Sequence, residues 1–347
     1  MKKNLNIQGL RAIFALIVFL GHSYGTLEAK WFDIEPYRPL RLFLDGSISV
    51  VFFFVLSGYF YYNTKEYNLK YHLQLIKKRM LRIAPPYWII LTVGALIYYI
   101  YLRNDICHSD AATPFFSKFW SSDITFSRYI HDFLILYRGY PSAEFIIPAS
   151  WYLEVDIKMM IAIPFVIFLL NKYGWRWCWI LIVPVLLNSP VFQSSFQVAI
   201  SFLMGAGMHC LQKNTSTFNN INGYACVVII ILSLLLLDIK YMPFVEISSS
   251  GEPSYQITIC LSLGAALLIW AFTTIKDISL LSNKYIVGLG NISYEFYISH
   301  MVILLALEPF FANPYIFTTI AFILSVLVSV ALKKINSYIE TAKLAIK

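Results

Sequence analysis

The stretch IQGLRAIFALIVFLGHSYG, residues 7–25, is an apolar run interrupted by two ionisable groups, Arg11 and His22. About 20 predominantly apolar residues cross the hydrocarbon core as a helix, so the run is long enough to span a bilayer. Further apolar runs follow at about 47–63, 83–102, 149–170, 177–188, 194–211, 221–238, 256–274, 286–307 and 315–333. The predicted fold is therefore all-α: a polytopic membrane bundle of about ten transmembrane helices. A single membrane domain over 1–347, with no appended soluble domain, is expected.

Composition points the same way. The chain is 59% hydrophobic and 13% charged, about half the charged fraction that covers a soluble domain. Its 24 Tyr and 8 Trp suit the aromatic belts at the two membrane surfaces. A net charge of +8 could serve nucleic acid, but no soluble basic domain offers a groove. The excess is instead what inner loops require under the positive-inside rule. Lys2, Lys3, Lys65, Lys70, Lys77, Lys78, Arg79, Arg82, Lys172, Arg176, Lys213, Lys276, Lys333 and Lys334 all fall inside if the N-terminus is cytoplasmic, and most acids fall outside. Ten spans then leave both termini in the cytoplasm and the loop 103–148 outside. The partners implied are the lipid bilayer and a membrane-borne substrate, with no nucleic acid.

Met1-Lys2-Lys3 and the apolar stretch after it imitate a signal peptide. Arg11 breaks the apolar region and residues 25–29 make a poor cleavage site, so an uncleaved first span is expected. The five cysteines share no metal-ligand spacing and their number is odd, so neither a zinc site nor a disulfide framework is expected.

Ionisable groups inside a span are costly, and each is a functional candidate. Arg11 and His22 are eleven residues apart. At 100° per residue they share one helix face, about 16 Å apart along the axis, so they line one track without touching. Taken singly, a snorkelling Arg and a hydrogen-bonded core His explain them as well. Arg79 and Arg82 share a face at i, i+3 just before Pro85-Pro86. Two guanidinium forks there suit a polyphosphate, and ordinary positive-inside anchoring accounts for them too. Glu154 and Lys158 are placed to neutralise each other at i, i+4, whereas Asp156 points about 160° away and must find another helix or a substrate. Gly288 and Gly290 can allow close helix approach. Beyond them, Glu295 and His300 are polar groups that a plain membrane anchor would omit.

In order along the chain these stretches resemble the acyltransferase 3 family of membrane O-acyltransferases. The first is Gly9-Leu10-Arg11-Ala12 with His22 eleven residues after the Arg. The second is the run from Val50 through Ser57-Gly58-Tyr59. The third runs from Lys78 to Trp88 around Arg79 and Arg82. The fourth is Ser150-Trp151-Tyr152-Leu153-Glu154-Val155-Asp156, and the fifth runs from Ile292 to His300. The fourth departs from the family's Trp-Ser-Leu-x-Val-Glu: Tyr152 replaces the Ser and Asp156 the Glu. Val51 stands where many members carry Asp.

The resemblance implies an acyl group, acetyl first, moved from cytosolic acetyl-CoA to a sugar hydroxyl of a cell-surface glycan such as O-antigen, at a bacterial inner membrane. It implies that Arg79, Arg82 and Arg11 hold the acetyl-CoA phosphates, and that Trp151, Tyr152 and Ser57 bind substrate. His22 suits a general base, its ordinary pKa lying near 6.5; it equally suits a covalent acyl carrier. Asp156 is expected to orient the histidine or the sugar, with His300 a further partner. A thioester needs no metal to be attacked, so none is expected. A flippase or exporter of lipid-linked sugars would also use buried charges, but would leave the order of the five stretches unexplained.

Overall fold

The computed structural model describes residues 4–26, 41–61, 69–106, 119–120, 124–135, 145–173, 190–214, 222–242 and 255–345. Among these residues the regular structure is helical: α1 (Leu5–Thr26), α2 (Gly46–Tyr61), α3 (Leu69–Arg103), α4 (Phe126–Leu134), α5 (Trp151–Tyr173), α6 (Pro190–Asn214), α7 (Gly223–Leu237), α8 (Tyr255–Thr274), α9 (Lys284–Asn291), α10 (Ser293–Leu307) and α11 (Pro314–Ala345), with short 3-10 turns between some of them. Four of them, over Leu5–Thr26, Lys70–Arg103, Gln256–Thr274 and Pro314–Ile339, are long and apolar enough to cross a membrane. The expected run 177–188 lies outside the described residues.

Local chemistry starts these helices. Asparagine side chains accept from early backbone N–H groups: Asn4 from Ile7 (3.0 Å), Asn222 from Ala225 (2.8 Å), Asn283 from Tyr285 (2.9 Å) and Asn313 from Tyr315 (3.0 Å). Such caps satisfy donors that a helix start leaves orphaned. In α3 the problem is internal. Pro86 has no N–H for the Arg82 carbonyl four residues back. Asn336 of α11 supplies the donor instead, Nδ2 to Arg82 O at 3.0 Å. The proline pair thereby ties the paired-arginine turn to α11.

The bundle has two halves joined by α1. One core gathers Phe19 with Tyr87, Leu153, Phe296 and Phe317, from α3, α5, α10 and α11. The other gathers Phe14 with Phe52, Val55, Met208 and Leu261, from α2, α6 and α8. Glycines let backbones meet across the second half. A Cβ on Gly58 would run into the Phe202 carbonyl oxygen, and one on Gly205 into that of Val55. Gly290 meets the Gln8 backbone in the same way, whereas Gly288 faces open space. Outside, α7 exposes Val227, Val228, Ile231 and Leu235, and α11 exposes Ile316, Ile323 and Leu327. An apolar coat of this kind belongs against lipid. The protein is an all-α membrane protein.

Contacts fix the relative direction of the helices. Arg11 meets Ser293 and His22 meets His300, so α1 and α10 run parallel. Arg82 meets Asn336 and Tyr101 packs near Phe310, so α3 and α11 run antiparallel. Both described chain ends lie at the end of the bundle that carries Arg82, called here the basic end.

Three expectations need correction. The run 286–307 is two helices, α9 and α10, separated at Ile292. The run 83–102 is only part of α3, which begins at Leu69. The third concerns the loop 103–148 and the start of the fourth span. Helix α4 descends along α3: the Arg128 guanidinium sits over Tyr98, Tyr129 OH meets Thr92 Oγ1 (2.9 Å), and Tyr87 OH donates to Asp132 O (2.9 Å). Residues 145–150 then lie buried in the bundle. Ile146 N donates to Asp132 Oδ2 (2.8 Å), Trp120 Nε1 donates to Ile146 O (3.1 Å) and Tyr297 OH donates to Ala149 O (2.9 Å). Irregular backbone is tolerated at such depth only when its polar groups find partners within the protein. Those partners come from distant positions, so the sequence around 145–150 does not reveal the dip. Helix α5 consequently starts at the level of Tyr297 inside the bundle, not at its surface.

Candidate active site

Helices α1 and α10 carry two polar contacts, one above the other. At the basic end Arg11 Nη2 donates to Ser293 Oγ (2.9 Å) and Nη1 to Gln8 Oε1 (3.1 Å). Further along, His22 Nδ1 lies 2.9 Å from His300 Nε2. His300 Nδ1 in turn lies 2.6 Å from the Tyr297 carbonyl oxygen. His300 is buried and His22 half-buried. Phe296 lies parallel to the His300 ring and Phe19 meets it edge-on. Between the two polar contacts, α1 presents Ala15, Val18 and Phe19, all buried and apolar.

A second set of contacts converges from α2, α3 and α5. Arg79 Nη2 donates to Asp156 Oδ2 at 2.6 Å and to Ser57 Oγ at 3.3 Å. Tyr152 stacks on Phe54, centroids 4.6 Å apart, and packs against Tyr297. Asp156 is buried, and its Oδ1 has no partner among the described residues. Arg82 is exposed, and its guanidinium makes no hydrogen bond among the described residues. Arg82, Glu295 and Arg79 lie near enough to Arg11 for their charges to act on it. Glu295 is held by Lys333 Nζ at 3.2 Å, and its second oxygen is buried without a partner among the described residues.

The sequence-predicted residues therefore fall into two places. Arg11, Arg79, Arg82, Asp156, Ser57 and Tyr152 gather at the basic end, while His22 and His300 meet deeper in the bundle. Trp151 stands at the rim, 37% exposed, with its ring near Phe54. Glu154 and Lys158 pair with each other at 2.5 Å. Asp156, expected to orient the histidine or the sugar, has its carboxylate on Arg79, and His300 is the group on His22. Ser293, Gln8 and Lys333 were missed as partners. They are ordinary polar residues whose roles follow only from the helix they face. Among the described residues no three His, Cys, Asp or Glu side chains gather as metal ligands would.

The family model described as an acyltransferase domain, of the acyltransferase 3 type, matches residues 4–334. That covers both polar clusters and nearly every helix. The chain belongs to the acyltransferase 3 family. It is a membrane acyltransferase, and the helices that carry Arg11, His22, Arg79, Asp156 and His300 all lie within the matched region. No curated protein and no solved structure matches the chain.

Proposed function

We propose that this acyltransferase moves an acetyl group from cytosolic acetyl-CoA to a sugar hydroxyl of a cell-surface glycan such as O-antigen, at a bacterial inner membrane. The observation that carries the reading is the separation of cations from base along the bundle. Arg11 of α1 and Arg79 and Arg82 of α3 gather at the basic end, and a histidine pair stands further along α1 and α10. An anionic donor and a neutral acceptor reaching each other across a bilayer need that layout.

Arg82 and Arg11 offer N–H donors to phosphate oxygens at the basic end, where fork geometry matches phosphate well. Asp156 holds Arg79 beside them and positions its guanidinium through the 2.6 Å contact. The acyl-bearing arm then follows the apolar stretch of α1 past Ala15 and Val18 toward His22. His22 takes the proton from the acceptor hydroxyl as its oxygen attacks the thioester carbonyl. Trp151 presents an exposed ring on which a sugar can pack, with Tyr152 packed on Phe54 beside it.

Membranes containing the protein, given labelled acetyl-CoA and the host glycan, test this. Label appears on a sugar oxygen by NMR, and His22→Ala lowers transfer by about 10²–10⁴-fold, the range general base catalysis supplies. Transfer by His22→Ala at the rate of wild type removes His22 from the mechanism. Failure of every acyl-CoA to label any host glycan removes the donor and acceptor assignment.

A further inference from the structure

The Tyr297 carbonyl determines which protons the two histidines carry. A carbonyl oxygen only accepts, so His300 Nδ1, at 2.6 Å from Tyr297 O and 3.3 Å from Phe296 O, must bear hydrogen. A neutral imidazole has one N–H and one lone pair. His300 Nε2 is therefore an acceptor, and His22 Nδ1, 2.9 Å away, is the donor to it. The ring planes are 13° apart with centroids 5.1 Å apart, while the two nitrogens are only 2.9 Å apart. The rings thus meet edge to edge in nearly one plane, where N–H and lone pair point at each other. With its Nδ1 protonated, neutral His22 has a bare Nε2, and that nitrogen makes no hydrogen bond among the described residues.

We infer that His300 is a positioning residue, relaying the Tyr297 carbonyl to hold His22 as its Nδ1–H tautomer with Nε2 bare. The inference deepens the reading of His22 as base and rests on it for its catalytic meaning. It assigns the reacting atom. The acceptor O–H gives its proton to His22 Nε2 while its oxygen bonds to the thioester carbonyl carbon. The C–S bond then breaks, and the departing thiolate takes the proton back from Nε2. His22 ends neutral and His300 keeps its proton throughout. A backbone carbonyl has no charge and cannot lose its acceptor role, so the tautomer is set by the turn of α10 itself.

The test uses the full chain, labelled with ¹⁵N-histidine in lipid nanodiscs at neutral pH, with His22 assigned by the signal lost in His22→Gln. Wild type shows His22 with Nδ1 protonated and Nε2 bare. His300→Phe removes the acceptor. The His22 signal then moves to the Nε2–H form that free imidazoles favour, and kcat falls about ten- to a hundred-fold, part of what base catalysis contributes. KM for acetyl-CoA stays unchanged, because the arginines are untouched. His300→Gln places an amide oxygen where Nε2 accepted, and it brings back both the Nδ1–H signal and most of the turnover. A wild-type spectrum with His22 Nε2 protonated overturns the inference, and that spectrum needs no variant of His300 to fold. His300→Gln behaving like His300→Phe in both readouts also overturns it. A Nδ1–H signal in wild type together with full transfer by His22→Ala would instead sink the catalytic reading and leave the tautomer assignment standing.

Discussion

At the scale of single residues, the partner given to a buried charge sets what that charge can do. Asp156→Asn removes the negative end of the Arg79 contact without changing its shape. Arg79 then loses its charged anchor, and the expected outcome is a raised KM for acetyl-CoA with a smaller change in kcat, read from steady-state kinetics. Asp45, just ahead of α2, is a second case. Burial alone pushes its carboxyl up, but Lys240 at 2.9 Å and hydrogen bonds with Ser47 and Tyr241 outweigh it, holding the group below the usual carboxylate range. A depressed carboxyl stabilises the fold above its unfolded pKa and loses that contribution as pH falls through the folded value. Wild type should therefore exceed Lys240→Met in Tm at neutral pH, and the gap should close on acidification below the carboxylate range. A gap that is constant with pH would show that the Lys240 stem, not its charge, matters.

At the scale of elements, two joints hold the helices in place. Gly58 of α2 sits against the Phe202 carbonyl of α6, so any side chain there must push backbone aside. Gly58→Ala is expected to destabilise by about 1–3 kcal/mol, the usual cost of overpacking, seen as a lower Tm in detergent. The second joint is Asn336 on the carbonyl that Pro86 leaves open. Asn336→Ala removes that donor from a part-buried carbonyl, at a cost of about 1 kcal/mol. It should also loosen the turn that presents Arg82, so donor affinity falls along with stability. The helix spans and their polar faces were legible because hydrophobic runs and helical periodicity are local properties. The depth at which α5 starts was not. Its apolar run begins near residue 149, but the segment leading into it is held below the surface by Asp132, Trp120 and Tyr297, and no window along the chain contains all three.

At the scale of the whole molecule, the two ends of the bundle are expected to face opposite sides of a membrane. Arg82 lies at the basic end, and exposed Asn313, at the start of α11, lies at the other. A membrane-impermeant thiol reagent should reach Arg82→Cys only from the cytoplasmic side and Asn313→Cys only from the outer side. Labelling of both from one side would contradict the topology. By itself the sequence determined the material and the direction of this protein: apolar helices, a basic end, and ionisable groups on particular helix faces. Those follow from composition and period, which act over a turn or two. Tertiary structure alone decided which of those groups meet. Arg79 finds Asp156, Arg11 finds Ser293, and His22 finds His300 rather than a carboxylate. The free energy of a buried polar group depends on the partner it is given, and that partner comes from a helix far away in the chain.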